Sequence, residues 1–173
     1  MNLQDFIRDV RDFPKSGIVF KDITTLLKDP EAFKTAGDML YNFSKNLGIQ
    51  KVAAIESRGF MFGSLLAQRL GVGFVPIRKP KKLPAQVFSQ SYTLEYGEDT
   101  LEMHQDAISK GEKVLLHDDL LATGGTAEAA CKLIKQAGGI IMQVSFLVEL
   151  AFLNGRDKLE SYDIVSVLRY DKE

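Results

Sequence analysis

Two spacings of apolar residues alternate along the chain. Leu3, Phe6, Ile7 and Val10 fall on one face of a helical turn and predict a short helix over 3–10. FPKSGIVFKDIT at 13–24 carries turn residues around a strand-like IVF. DPEAFKTAGDMLYNFSKNLG at 29–48 then predicts a longer helix. Asp29 is its N-cap, Pro30 its first residue and Gly48 its stop, with Phe33, Ala36, Leu40, Phe43 and Leu47 as the apolar stripe. VAAI at 52–55 is apolar throughout, as a parallel strand buried on both faces would be. ESRGF leads from it into a helix ending at Leu70. GFVPI at 73–77 is the next strand, followed by a basic, proline-marked RKPKKLPAQVF and a strand-like SYTLEYG ending in a turn. KVLLH at 113–117 is a strand; Ala130, Leu133, Ile134 and Ala137 mark a helix closed by Gly138-Gly139, and IMQVSFLVEL follows as another strand.

Strands alternating with helices predict an α/β fold with a mostly parallel central sheet flanked by helices, and ligands in such folds collect at the carboxyl ends of the strands. ESRG and DDLLATGGT both stand at such ends. The length of 173 residues suits one domain, residues 1–173, with about 1–30 forming a small cap.

The charge balance, 22 basic against 23 acidic residues, offers no electrostatic reason to expect nucleic acid or membrane as partner. Cys131 is the single cysteine, so no internal disulfide or thiolate cluster forms, and an intracellular, cytoplasmic setting is expected. MNLQDFIRDVRDF lacks the apolar core of a secretion signal, and no apolar run reaches the roughly 18 residues of a membrane span.

HDDLLATGGTA at 117–127 carries the chemistry. In ATGGT the glycines let backbone N–H groups turn inward, Thr123 and Thr126 add hydroxyls, and a helix N-terminus adds partial positive charge, together a phosphate cradle. Neither GxxxxGK[ST] nor GxGxxG is present, which excludes the Walker and dinucleotide loops. Asp118 and Asp119 precede the cradle by about the length of a sugar, and carboxylates accept hydrogen bonds from vicinal hydroxyls. A ribose 5-phosphate satisfies both halves. The plainer alternative is a βα turn after a solvated strand end.

This strand, Asp-Asp, Ala-Thr-Gly-Gly-Thr pattern resembles the phosphoribosyl-diphosphate loop of the type I phosphoribosyltransferases. FPKSGIVFKDITTLLKDP, ESRGFMFG, IRKPKKLP, SYTLEYG and LVEL extend the likeness over nearly the whole chain, toward the adenine-specific members. The resemblance implies a Rossmann-like type I phosphoribosyltransferase fold with a small N-terminal hood over the base site, and a flexible lid within about 78–104. It implies a purine-salvage enzyme, transferring phosphoribosyl from phosphoribosyl diphosphate to N9 of adenine with Mg²⁺, and a homodimer. Carried residue by residue, it gives Ala122, Thr123, Gly124, Gly125 and Thr126 to the 5-phosphate, and Asp118 and Asp119 to the ribose hydroxyls. Glu56, Ser57, Arg78, Lys79, Lys82 and His104 go to the diphosphate. Val19, Phe20, Lys21, Arg58 and Leu150 go to the base, with Arg58 also near the reacting centre and Glu95, beside Tyr96, as the acid/base group.

On residues alone, Val19 and Phe20 read equally as core, RKPKK as a solvated loop, Glu95-Tyr96 as a surface pair, and His104 as a packed or surface histidine. Some family members have arginine where Lys21 stands, and His117 occupies a position often aliphatic, where a packing difference is expected. The same reaction on hypoxanthine, guanine or xanthine is one rival reading. A non-catalytic sensor of phosphoribosyl diphosphate is the other.

Overall fold

The computed structural model describes residues 1–93 and 97–172. Five parallel strands form the central sheet in the order β4-β3-β7-β8-β9: β3 (Lys51–Ile55), β4 (Gly73–Ile77), β7 (Lys113–Leu121), β8 (Ile140–Leu150) and β9 (Ile164–Tyr170). The all-apolar strands run where both faces are covered, as expected for a parallel sheet. Val52 and Leu115 join the core under α2 (Pro30–Ser44) and α3 (Gly59–Leu70). Their neighbours Ala53, Val114 and Leu116 face the core under α4 (Gly125–Gln136). β9 has no counterpart among the strands expected from the sequence.

The helices follow their local signals. Asp29 accepts hydrogen bonds from the N–H groups of Glu31 and Ala32, and Pro30 takes the first position. The buried stripe of α2 is Ala32, Ala36, Gly37, Leu40 and Ser44, rotated from the expected one. Phe43 is exposed, and the helix ends at Ser44, so Leu47 and Gly48 lie beyond it. Close approach of neighbours selects small residues: a Cβ added at Gly37 would lie 2.8 Å from Leu65 Cδ2, so α2 and α3 touch there. α3 in turn presses on β3, where a Cβ at Gly63 would stand 2.5 Å from that of Ala54.

The expected helix over 3–10 does not form. A 3-10 turn covers Leu3–Phe6, and the chain then enters β1 (Arg8–Arg11), which pairs antiparallel with β2 (Val19–Asp22). Eight residues are too few for a helix to hold on propensity. Leu3 is buried with Ile23 and Leu26 of the short helix α1 (Thr24–Leu27), and Arg8 pairs with Asp22 at 2.5 Å, so tertiary contacts decide the backbone. A second ribbon, β5 (Val87–Thr93) with β6 (Glu98–His104), packs against α4, with Leu101 and Met103 buried in the core beneath that helix. The expected strand at SYTLEYG starts earlier, at Val87, and Glu95 and Tyr96 lie outside the described residues. No helix among the described residues is long and apolar enough to cross a membrane.

Candidate active site

Two strand ends and two helix starts converge. β3 runs into Glu56, Ser57 and Arg58, with a cis peptide between Glu56 and Ser57, and α3 begins at Gly59. A Cβ at Gly59 would lie 2.9 Å from Asp118 Oδ1, so the start of α3 sits directly against β7. β7 continues past its expected end at His117 to Leu121, and both aspartates belong to the strand. Asp119 is 4% exposed, and its Oδ2 lies 2.9 Å from Arg58 Nε. That oxygen is buried without an aligned hydrogen bond among the described residues.

Burial pushes the Asp118 carboxyl well above the ordinary range, and the negative charge of Asp119 pushes it further. Burial also raises Asp119, opposed by the Arg58 guanidinium. Asp119 N–H donates to Asp118 Oδ1 at 2.9 Å, so the two carboxyls share one site beside Arg58.

After Leu121 the chain turns through Ala122, Thr123 and Gly124 into α4. Gly124 has φ +83°, a conformation a side chain strains to adopt. Among the described residues, the N–H groups of Thr123, Gly124, Gly125 and Thr126 donate to no backbone carbonyl. With the partial positive charge of the α4 N-terminus they make an anion cradle. Arg58, Asp118, Asp119, Ala122, Thr123, Gly124 and Thr126 line one cavity of about 190 Å³. Gly125 borders a neighbouring cavity with Tyr92 and Lys158.

The expected diphosphate residues gather around Glu56. Its carboxylate accepts from the Lys79 backbone N–H at 2.5 Å and from Arg78 Nη2 at 3.0 Å and pairs with Lys82 Nζ at 3.1 Å. Burial raises its pKa, but the Lys79 N–H first, then Lys82 and Arg78, hold it below its ordinary range. The Lys79 ammonium, by contrast with its backbone N–H, is bound to Asp99 and to the Tyr92 hydroxyl on the β5-β6 ribbon. Ser57 is exposed. His104 is half-buried on β6, where its Nε2 accepts from Ala85 N–H at 3.3 Å, and it does not line the cavity.

For the expected base residues, Phe20 is half-buried and outside both buried cores, 4.8 Å beneath the Arg58 guanidinium and edge-on to Phe13 at 5.3 Å. Val19 is half-buried beside it. Lys21, next in a strand where side chains alternate, has its ammonium 2.7 Å from Asp9 and 4.4 Å from the Tyr170 ring, while Phe20 meets Arg58. Leu150 is 8% exposed and packs in the core with Leu147 and Leu168. His117 is wholly buried, its Nδ1 2.9 Å from Ser145 Oγ and its Nε2 without a partner among the described residues. Burial lowers its pKa to about 3, so it is neutral and packs against Phe62.

One cluster escaped the sequence reading. Glu149, 2% exposed near the end of β8, receives both Arg156 Nε and Nη2 at 2.7 Å, Ser166 Oγ at 2.6 Å and Arg169 Nη1 at 3.1 Å. Arg156 above all lowers the Glu149 pKa. The signal was present in FLVEL: an acid inside an apolar strand run must find a cation when buried.

Comparison with known proteins agrees with this geometry. The phosphoribosyl transferase domain family matches residues 22–169. Adenine phosphoribosyltransferase of Christiangramia forsetii is 57% identical, covering 98% of this chain and 99% of its own. The crystal structure of adenine phosphoribosyltransferase from Thermoanaerobacter pseudethanolicus superposes with a TM-score of 0.95 at 52% identity, over 97% of this chain and 98% of that one. The Saccharomyces cerevisiae enzyme, crystallised with adenine and an imino-altritol bisphosphate, superposes at 0.90 with 38% identity over 96% of each chain. The central parallel sheet flanked by helices is thus that of a known architecture, and the chain belongs to the phosphoribosyltransferase family, in its adenine phosphoribosyltransferase branch.

Proposed function

We propose that the chain transfers the 5-phosphoribosyl group from phosphoribosyl diphosphate to N9 of adenine, releasing AMP and diphosphate, as a step of purine salvage. The observation that carries this reading is the cavity shared by Asp118, Asp119 and Arg58 with Ala122, Thr123, Gly124 and Thr126 of the turn. A phosphate seated on the turn and the α4 N-terminus leaves its pentose beside the two carboxylates. The bond from the anomeric carbon to the diphosphate oxygen breaks and the bond to N9 forms, while N9 gives up its proton. Positive charge then builds on the sugar and negative charge on the leaving diphosphate.

Asp118 and Asp119 accept the ribose hydroxyls in this reading, and their negative field suits a sugar turning cationic. Main-chain groups of Glu56 and Ser57, with Arg78, Lys79 and Lys82, meet the diphosphate. For that, the cations exchange Glu56 and Asp99 for phosphate oxygens. His104 stays with Ala85 unless the β5-β6 ribbon brings it nearer. Main-chain groups at Val19 and Phe20 read the adenine edge, the Phe20 ring, which lies by Arg58, stacks on the base, and Leu150 closes the other side. Glu95 is the acid/base group, on a lid within 78–104, and residues 1–30 are the hood.

Among the described residues no three acidic, histidine or cysteine side chains converge into a metal cage. Two carboxylates beside substrate oxygens nevertheless fit Mg²⁺, which prefers one or two carboxylates and keeps other positions for phosphate and water. The buried Asp119 Oδ2, which faces Arg58 but has no aligned hydrogen bond among the described residues, is a suitable ligand atom. Held there mainly through diphosphate and ribose oxygens, Mg²⁺ would neutralise charge on the departing diphosphate. Exposed Met39 and Phe43 on α2 and Met61 on α3 support a homodimer, and the single buried Cys131 accords with the cytoplasm.

The test is a purine panel: purified protein, phosphoribosyl diphosphate, Mg²⁺ and one base at a time. AMP formation from adenine supports the reading. Faster conversion of hypoxanthine overturns the choice of base, and phosphoribosyl-diphosphate binding without product from any purine points to a sensor instead.

A further inference from the structure

The phosphate turn between β7 and α4 is built of small residues. Its back rests on Gly155. A Cβ at Gly124 would collide with the Gly155 carbonyl oxygen, and one at Gly155 would collide with the Ala122 carbonyl oxygen and stand 2.9 Å from Leu121 Cδ1. Two main chains therefore lie in van der Waals contact, and among the described residues no backbone hydrogen bond joins them. Whatever fixes residue 155 therefore bears on the back of the cradle.

Arg156, the next residue, is that fixture. Its guanidinium grips Glu149 through two parallel bonds at 2.7 Å and donates to the Ile164 carbonyl at 3.2 Å, tying the short 3-10 segment Gly155–Leu159 to β8 and β9 at once. The fork geometry fixes orientation as well as distance. We infer that the Glu149–Arg156 pair is a positioning device for the phosphate turn, acting through the Gly155 main chain on Ala122 and Gly124, and that it tunes affinity for the 5-phosphate end of the substrate without touching that substrate.

This inference rests on the proposed transfer reaction, and Arg156→Lys tests it. Lysine keeps a cation beside the buried Glu149 but loses the paired, planar grip. The expected result is a KM for phosphoribosyl diphosphate raised about tenfold, since displacements well under an ångström weaken such cradles, with kcat and the adenine KM within about twofold of the unsubstituted protein. Gly155→Ala is the independent arm. It leaves the ion pair intact, drives a methyl against the Ala122 carbonyl, and must produce the same selective rise, so a folding defect in one variant does not decide the matter. An unchanged phosphoribosyl-diphosphate KM in either folded variant overturns the inference, and so does an adenine KM rising in step. If the unsubstituted protein makes no AMP, the reaction itself has been misassigned; if it is active and both variants match it, only the positioning role falls.

Discussion

Arg58 Nε lies 2.9 Å from Asp119 Oδ2, and the same guanidinium stands 4.8 Å above the ring of Phe20. One side chain thus ties the end of β7 to the N-terminal ribbon. It comes from the α3 N-terminus, about 60 residues from Asp119 and 40 from Phe20 along the chain, by the numbering of the sequence. Charge and stacking act on it together: the carboxylate holds the guanidinium plane, and the aromatic face covers it.

Asp119→Asn removes the charge that Arg58 faces and replaces one of the two carboxylate oxygens proposed for ribose and metal with an amide NH₂. Hydrogen bonds to charged groups contribute about 1.5–3 kcal/mol, so the KM for phosphoribosyl diphosphate should rise on the order of tenfold or more. Steady-state kinetics across Mg²⁺ concentrations check this, with the variant expected to need more Mg²⁺ for half-maximal rate. A KM unchanged at every Mg²⁺ concentration would remove Asp119 from the ribose site.

Glu95→Gln removes the proposed acid/base group while preserving its size. Turnover should fall about 100-fold or more, with phosphoribosyl-diphosphate affinity near normal. Single-turnover rates beside equilibrium binding separate the two quantities, and the reverse pattern would exclude an acid/base role.

Gly63→Ala inserts a methyl 2.5 Å from Ala54 Cβ, where α3 lies flat on β3. Backbone on both sides must move, a cost of about 1–3 kcal/mol for overpacking. Denaturant unfolding should show a lower midpoint, with the adenine KM little changed well below the melting temperature. Undiminished stability would mean that α3 can slide on the sheet.

His117 gives the pH dependence a sign. Burial takes its pKa from 6.5 down to about 3, so the folded protein refuses a proton that the unfolded chain accepts. The neutral histidine's contribution is complete above pH 6.5 and is lost progressively as pH falls toward about 3, with a slope of up to about 1.4 kcal/mol per pH unit. His117→Leu should flatten the stability profile in that window. At pH 8 it should be at least as stable, because it removes the partnerless Nε2 and Ser145 Oγ keeps the Leu116 carbonyl at 3.5 Å. Parallel profiles for the two proteins would place the acid sensitivity elsewhere, on carboxylates such as Glu149 whose pKa is lowered by its cations.

The parts legible in the sequence share a property. The Asp29 cap, the Gly124 turn, the all-apolar β3 and the run from β7 into α4 are each specified by residues within a few positions of one another. Hydrogen bonds at i to i+4, positive φ at glycine and burial on both faces act locally, so their signals sit side by side in the chain. The phosphate cradle was readable for that reason: its N–H groups, its glycines and its two aspartates occupy nine consecutive residues, 118–126.

Tertiary structure alone decided the rest. Leu3, Phe6, Ile7 and Val10 suit a helix, yet pairing of Arg8–Arg11 with Val19–Asp22 makes them turn and strand, because a short helix gains less than a ribbon docked on the core. No local pattern says that Arg78 and Lys82 will meet Glu56, that Lys21 will turn to Asp9 and Tyr170, or that Gly155 will support Gly124. Ion pairs and backbone contacts of this kind form between segments tens of residues apart. They depend on distance in space, which a linear order of residues specifies only once the sheet has folded.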